Sequence, residues 1–313
     1  MTRHFLADDD LAPAEQAEVL ALAARLKAAP YDSRPLAGPR TVATIYDKPT
    51  LRTQASFAAG IAELGGHPML VDGSLAGIGV RESVADVARI LGRQAAVIVW
   101  RTYAQSAIEE MATWAGVPVV NALTDDFHPC QLLADLLTIA EHRGQVAGLR
   151  VAFVGDGACN MGNSWLLAGA TAGLHVRVSS PEGHEPGPAM VRRAAAIAGG
   201  TGGSVALVRR PEEAVVGADV VVTDTWVSMG REQEAQARAA AFAAYSVTPE
   251  LLARADEQAI VMHCLPAYRG KEISAEVLDG PRSVVWDEAE NRRHAQKAIL
   301  TWLLTRPRDG EPS

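Results

Sequence analysis

An α/β fold in two domains is predicted, each domain a mostly parallel sheet flanked by helices, with an active-site cleft between them. Three observations predict it. Short apolar runs such as TVATIYD (41–47), AAVIVWRT (95–102) and LRVAFVGDG (149–157) alternate with helical stretches, the pattern of parallel strands buried on both faces. That rhythm pauses at one long helical stretch, HPCQLLADLLTIAEHRG (128–144), and then restarts. The 313 residues are too many for one comfortable core and suit two.

The first half opens with a helix over 11–29, where Pro13 fits a first turn. A strand over 41–47 follows, then a helix over 52–66 with Phe57, Ile61 and Leu64 on one side and glycine at its end. HPMLVDG (67–73) reads as a strand and GSLAGIGV (73–80) as a glycine-rich loop. ESVADVARILGR predicts a helix leading into the strand at 95–102, and a further helix and VPVVNAL (117–123) complete this half. Residues 1–127 are thus expected to form the first domain, 128–147 a connecting helix and 148–290 the second domain. In the second domain strands are expected at 149–157, 174–180, 204–208, 219–226, 258–266 and 282–287. The last helix, from about Asn291 to Leu304, returns within 291–313 to complete the first domain.

Apolar residues make up 48% and charged residues 21%, a globular balance. A net charge of −8 argues against a nucleic-acid surface, and the longest apolar runs fall far short of a membrane span. The start, MTRHFLADDDLAP, carries acids where a signal peptide needs an apolar segment. Cys130, Cys159 and Cys264 are too few and too odd for a disulfide framework and lack zinc-knuckle spacing, which fits a reducing cytosol and no metal. Of the 29 basic residues only Lys27, Lys48, Lys271 and Lys297 are lysine, so a lone arginine carries little functional weight.

Ligands of parallel sheets bind at the carboxyl ends of the strands. Here those ends read YDKPTLRT, VWRT, NALTDDFHPCQ, VGDGACN, TDTWVSMG, HCLP and WDEAENR, a polar set that points to an enzyme. Gly155-x-Gly157 after a strand invites a dinucleotide site. The third glycine position holds Asn160, however, and the next strand ends in Ser179 and Ser180 where a ribose-binding acid belongs. No G-x-x-x-x-G-K-[ST] occurs, so a P-loop is excluded. KPTLRTQASF (48–57) is more specific. Pro49 presets a helical turn, and Thr50, Leu51, Arg52 and Thr53 lie where free N–H groups leave a helix start, a place for an anion. Arg101 leaves a strand end, while His128 and Gln131 share one side of another opening turn. Singly each is a plausible cap or packed polar residue; together they could surround a phosphate joined to a carbonyl.

At these residues the chain resembles the aspartate/ornithine carbamoyltransferases, and within them the ornithine branch, nearly end to end. KPTLRT stands at the family's K-x-S-T-R-T position, followed in order by HPCQ, GDGACNM, DTWVSMG, HCLPAYRG and WDEAENRRHAQKA. The resemblance implies transfer of the carbamoyl group of carbamoyl phosphate to the side-chain amine of L-ornithine, giving L-citrulline and phosphate. It also implies a homotrimer without a cofactor, serving arginine biosynthesis. Thr50, Leu51 (through its N–H), Arg52, Thr53 and Arg292 would bind the phosphate. Arg101 and His128, helped by Thr53, would reach the carbonyl oxygen, where charge grows as the amine adds. Gln131 and the carbonyls near Leu265 and Pro266 would accept from the carbamoyl NH₂.

By the same resemblance Asn160 would anchor the ornithine carboxylate, and Asp224, Ser228 and Met229 the α-ammonium. The SMG turn (228–230) would swing inward to exclude water. Cys264 would touch the carbamoyl group and lie beside the side-chain amine, which must lose a proton before it attacks. With Asp224 it would position the amine and handle that proton, not act as a covalent nucleophile. His263 is set aside as a base for the thiol because adjacent strand residues face opposite ways. The chain departs from the family pattern at Thr50 for serine, Leu51 for threonine and Gln54 for arginine. Further departures are Gly77 for a Gln or His that reaches a neighbouring subunit's site, Cys159 for asparagine and Tyr268 for histidine. Most lie on the donor side, which predicts weaker donor binding or a site rebuilt with nearby Arg81. A carbamoyltransferase for another ornithine-like amine, and a homologue that binds without turnover, stay open at this point.

Overall fold

The computed structural model describes residues 2–227 and 232–306. The chain divides into two compact units, Met1–Leu137 with Glu290–Ser313, and Thr138–Ala289.

The first unit is built on a four-stranded parallel sheet in the order β2-β1-β3-β4. Its elements are α1 (Pro13–Ala28), β1 (Thr41–Tyr46), α2 (Arg52–Glu63), β2 (His67–Asp72), α3 (Gly73–Ala76), α4 (Val84–Leu91), β3 (Val97–Arg101), α5 (Gln105–Ala115), β4 (Val119–Leu123) and the start of α6 (Pro129–Arg143). The period-two alternation of strands sorts the core into two layers. Val42, Val97, Val99 and Val120 pack with Phe57, Ile61, Leu133 and Ile299 on one face. Ala43, Ile45, Ile98 and Trp100 pack with Val84, Ile108 and Met111 on the other. The outer edge of β4 is covered by the segment before α1: the Phe5 N–H donates to the Val119 carbonyl, and the Asn121 N–H to the Phe5 carbonyl.

The second unit carries a five-stranded parallel sheet in the order β7-β6-β5-β8-β9. Its elements are β5 (Arg150–Val154), α7 (Asn160–Thr171), β6 (His175–Ser179), α8 (Pro188–Thr201), β7 (Ser204–Val208), α9 (Pro211–Ala214), β8 (Val220–Thr223), α10 (Ala235–Phe242), α11 (Pro249–Leu252), β9 (Ile260–Met262) and α12 (Ala275–Leu278). Helix α13 (Val285–Thr305) runs on into the first unit's sequence, as α6 runs out of it.

Two expectations are corrected. The strand expected at 282–287 is absent: Ser283 makes only an isolated bridge to Val261, and α13 begins at Val285, ahead of the expected Asn291. A two-valine run is too short to separate strand from helix, whereas Asp287 and Glu288 in the first turn suit the positive end of a helix dipole. Within the expected loop at 73–80, Gly73–Ala76 form a helical turn because the Asp72 carboxylate accepts from the Ser74 and Leu75 N–H groups.

Lys297 of α13 is fully buried, donating to Glu63 Oε2 at 2.6 Å and to the carbonyls of Pro30 at 2.7 Å and Leu26 at 3.4 Å. One ammonium thereby holds α13 against the ends of α1 and α2. Lys297→Met strands those acceptors and is expected to destabilise the protein by about 3–5 kcal/mol, read from urea unfolding. An unchanged midpoint would show that the contacts form without contributing.

Candidate active site

Two constellations form, one at the strand ends of each unit. In the first unit, register brings the parts together. Tyr46 is paired with Arg101, so the residues after β1 lie beside the end of β3. The Asp47 N–H donates to the Arg101 carbonyl at 2.9 Å, the Thr102 N–H to Leu123 at 2.9 Å, and the Asp125 N–H to Tyr103 at 2.8 Å. These bonds lace together the three loops that carry residues 48–53, 101–103 and 124–128.

Arg292 then enters from α13. Its Nη2 donates to Thr53 Oγ1 at 2.8 Å and its Nη1 to Gln131 Oε1 at 2.6 Å, with all three side chains buried. His128, also buried, has its pKa pushed well below the ordinary histidine value. Burial is the main cause, followed by the charges of Arg292, Arg101, Arg52 and Lys48. Arg292, Thr53 and Gln131 therefore meet, and burial with the nearby positive charges favours the neutral form of the His128 imidazole. Arg101 is 6% exposed, while Arg52 is half-buried on the first turn of α2. Thr50 Oγ1 accepts from the Thr53 N–H at 3.3 Å, and Leu51 points its side chain outward, 78% exposed. An outward Leu51 leaves only its backbone for an anion.

Lys48 belongs to this cluster and was missed. It is buried, ion-paired with Asp125, and sits 4.5 Å over the Tyr103 ring. Burial lowers its pKa. The signal was available, a rare lysine directly before Pro49. Gly77 sits at φ +63°, and a Cβ there would meet the Arg81 Cβ at 3.0 Å, so a glutamine at this position needs a different backbone. Arg81 is exposed in the same turn, its N–H donating to the Gly77 carbonyl at 2.7 Å.

In the second unit Val222 pairs with Met262, which sets Asp224 beside Cys264 two residues on. Cys264 Sγ donates to Asp224 Oδ1 at 3.3 Å. Burial raises the Asp224 carboxyl pKa, opposed by His263, the Thr225 N–H and the Cys264 thiol. A buried carboxylate of this kind gains when a cation arrives to replace lost water. Asn160 opens α7, half-buried, behind Cys159, whose sulfur accepts from the Gly162 N–H at 3.4 Å. Leu265 holds φ +59° before a cis bond to Pro266. Ser228 and Met229 lie outside the described residues.

The reason for setting His263 aside is corrected. Strand β9 ends at Met262, so alternation does not separate the pair, and one ligand atom each of Asp224, His263 and Cys264 lie within 4.8 Å of one another. The imidazole is occupied instead: Nδ1 accepts from the Leu265 N–H at 2.9 Å and Nε2 faces Glu272 at 3.3 Å. Those three groups could hold a metal only if the imidazole gave up its contact with the Leu265 N–H or with Glu272. Arg238 was also missed. Its guanidinium pairs with Asp156 and donates to the Trp226 carbonyl, tying the end of β8 to the turn before Asn160. An arginine within an alanine-rich helix gives no sequence signal for this.

Because the folded pKa of His128 lies below the free value, its contribution to stability is complete above about pH 6.5 and is lost as pH falls below it. The stability of the wild type minus that of His128→Gln should therefore drop between pH 7 and pH 5 by up to about 1.4 kcal/mol per pH unit. A difference independent of pH would contradict a neutral imidazole.

Comparison with known proteins fits this geometry. Residues 3–141 match the family described as aspartate/ornithine carbamoyltransferase, carbamoyl-P binding domain, and residues 147–303 match its Asp/Orn binding domain. The ornithine carbamoyltransferase of Clavibacter michiganensis is 63% identical over 304 residues, covering 97% of this chain and 99% of that protein. That of Leifsonia xyli is 58% identical over 309 residues, 99% of each. Among solved structures, ornithine carbamoyltransferase from Pyrococcus furiosus superposes with a TM-score of 0.91 at 40% identity, covering 96% of both chains. The enzyme from Gloeobacter violaceus gives 0.87 at 44% identity, covering 96% of this chain and 98% of that one. The chain belongs to the aspartate/ornithine carbamoyltransferase family.

Proposed function

We propose that this protein is an ornithine carbamoyltransferase, moving the carbamoyl group of carbamoyl phosphate to the side-chain amine of L-ornithine to give L-citrulline and phosphate. One observation carries the donor half: the buried guanidinium of Arg292 spans Thr53 and Gln131 beside Arg101, Arg52 and a neutral His128. Clustered cations with little access to water suit a small dianion, and their charge stabilises the oxyanion that grows on the carbonyl. Thr50, the Leu51 N–H, Arg52, Thr53 and Arg292 bind the phosphate in this reading. Arg101 and His128 polarise the carbonyl, the neutral imidazole by hydrogen bonding. Gln131, Cys264 and the Leu265 carbonyl receive the carbamoyl amide.

The acceptor half rests on the Asp224–Cys264 pair. Asp224, with Ser228 and Met229, receives the α-ammonium, and Asn160 the carboxylate. Cys264 and Asp224 flank the side-chain amine and draw its proton away, leaving the lone pair free to attack the carbonyl carbon; the C–O bond to phosphate then breaks. The departing phosphate is the final proton acceptor. The proposal extends to a cytoplasmic homotrimer in arginine biosynthesis, as the family resemblance implies.

Mixing the protein with carbamoyl phosphate and L-ornithine should yield citrulline, with lysine, putrescine and N-acetylornithine poor acceptors. No product from any amine would overturn the enzyme, and product with a rival alone would reassign the acceptor. Cys264→Ser should lower kcat/KM for ornithine by about tenfold or more and raise KM for carbamoyl phosphate by a smaller factor, because in this reading the sulfur touches the carbamoyl amide but makes none of the phosphate contacts.

A further inference from the structure

We propose that Asp135 is a positioning residue for the donor site, acting through the amide of Gln131. The inference rests on the donor reading given above. Asp135 lies four residues after Gln131 on α6, and each is 1% exposed. Gln131 Nε2 donates to Asp135 Oδ1 at 2.7 Å, while Gln131 Oε1 accepts from Arg292 Nη1 at 2.6 Å. Arg292 Nη2 continues to Thr53 Oγ1 at 2.8 Å, so an unbroken line of polar contacts runs from the carboxylate to the hydroxyl at the start of α2.

The two ends of a glutamine side chain are alike in shape and differ in polarity. A carboxylate oxygen accepts and a guanidinium donates, so the contacts on either side of Gln131 impose one orientation. Reversing the amide would turn oxygen toward carboxylate and NH₂ toward guanidinium, making both contacts repulsive in a place that excludes water. Asp135 thereby decides which end of Gln131 meets Arg292, and through Arg292 it fixes Thr53. The line of contacts passes through Arg292, whose charge, with those of Arg101, Arg52 and Lys48, bears on His128. Asp135 reaches this cluster from one helical turn behind Gln131, on the far side of the amide from Arg292.

Asp135→Asn is the direct test, because asparagine keeps the size but both donates and accepts, so position 135 no longer selects an orientation of Gln131 and only Arg292 does. The expected result is a rise of about tenfold or more in KM for carbamoyl phosphate and a matching loss of inorganic phosphate binding, with KM for L-ornithine within about twofold. In a cycle with Gln131→Ala, the second change should add nothing to the first, since the carboxylate then has no amide to orient. An unchanged KM for carbamoyl phosphate in D135N overturns the proposal, as do fold-changes that multiply in the double variant. If D135N does not fold, the exchange Q131E/D135N restores donor against acceptor at both contacts. It is expected to fold and to bind phosphate more tightly than Q131A, and failure of either overturns the proposal. A wild-type protein that makes no citrulline would sink the donor reading itself, a result separate from any of these.

Discussion

A guanidinium taken out of water must be met by acceptors, and Arg292 is met by the Thr53 hydroxyl and the Gln131 amide. That requirement shapes the first unit. The arginine comes from a helix near the end of the chain, while its acceptors come from the openings of α2 and α6. Closing this triangle demands that α13 pack in one register, which Lys297 secures further along by gathering Glu63 and two carbonyls. The functional cluster and the packing of the last helix are therefore one structural problem.

The sheets solve the other half of it. Parallel strands in register deliver their following residues side by side, so Arg101 falls beside Asp47 and Lys48, and Asp224 beside Cys264. Burial then tunes what is delivered. The same desolvation that lowers the pKa of His128 raises that of Asp224, leaving a neutral imidazole near the cations and a carboxyl that gains by meeting an ammonium. Neither result needs an unusual residue; each follows from position at a strand end with little water.

Much of this was legible in the sequence. Apolar strands alternating with helices gave every observed strand, and polar strand ends pointed to the segments that carry Thr53, Arg101 and Gln131. Arg292, by contrast, was read at the end of a strand that is not there and comes from α13. What stayed hidden has physical causes. The start of α13 was misplaced because valines at 284 and 285 suit either structure, and the acids that decide it follow them. Lys48, Arg238 and Asp135 act through contacts across the fold, with Asp125, Asp156 and, through the Gln131 amide, Arg292, and sequence proximity reports only part of these. His263 was judged by strand alternation two residues too far, past the end of β9 at Met262.

The most direct test of the central claim is the dissociation constant of carbamoyl phosphate for the wild type and for Arg292→Met, measured by calorimetry on folded protein. If the buried guanidinium organises the donor site, binding weakens by about a hundredfold or more, the loss expected for charge-assisted hydrogen bonds in a site with little water. A folded variant that binds carbamoyl phosphate as tightly as the wild type would contradict the account.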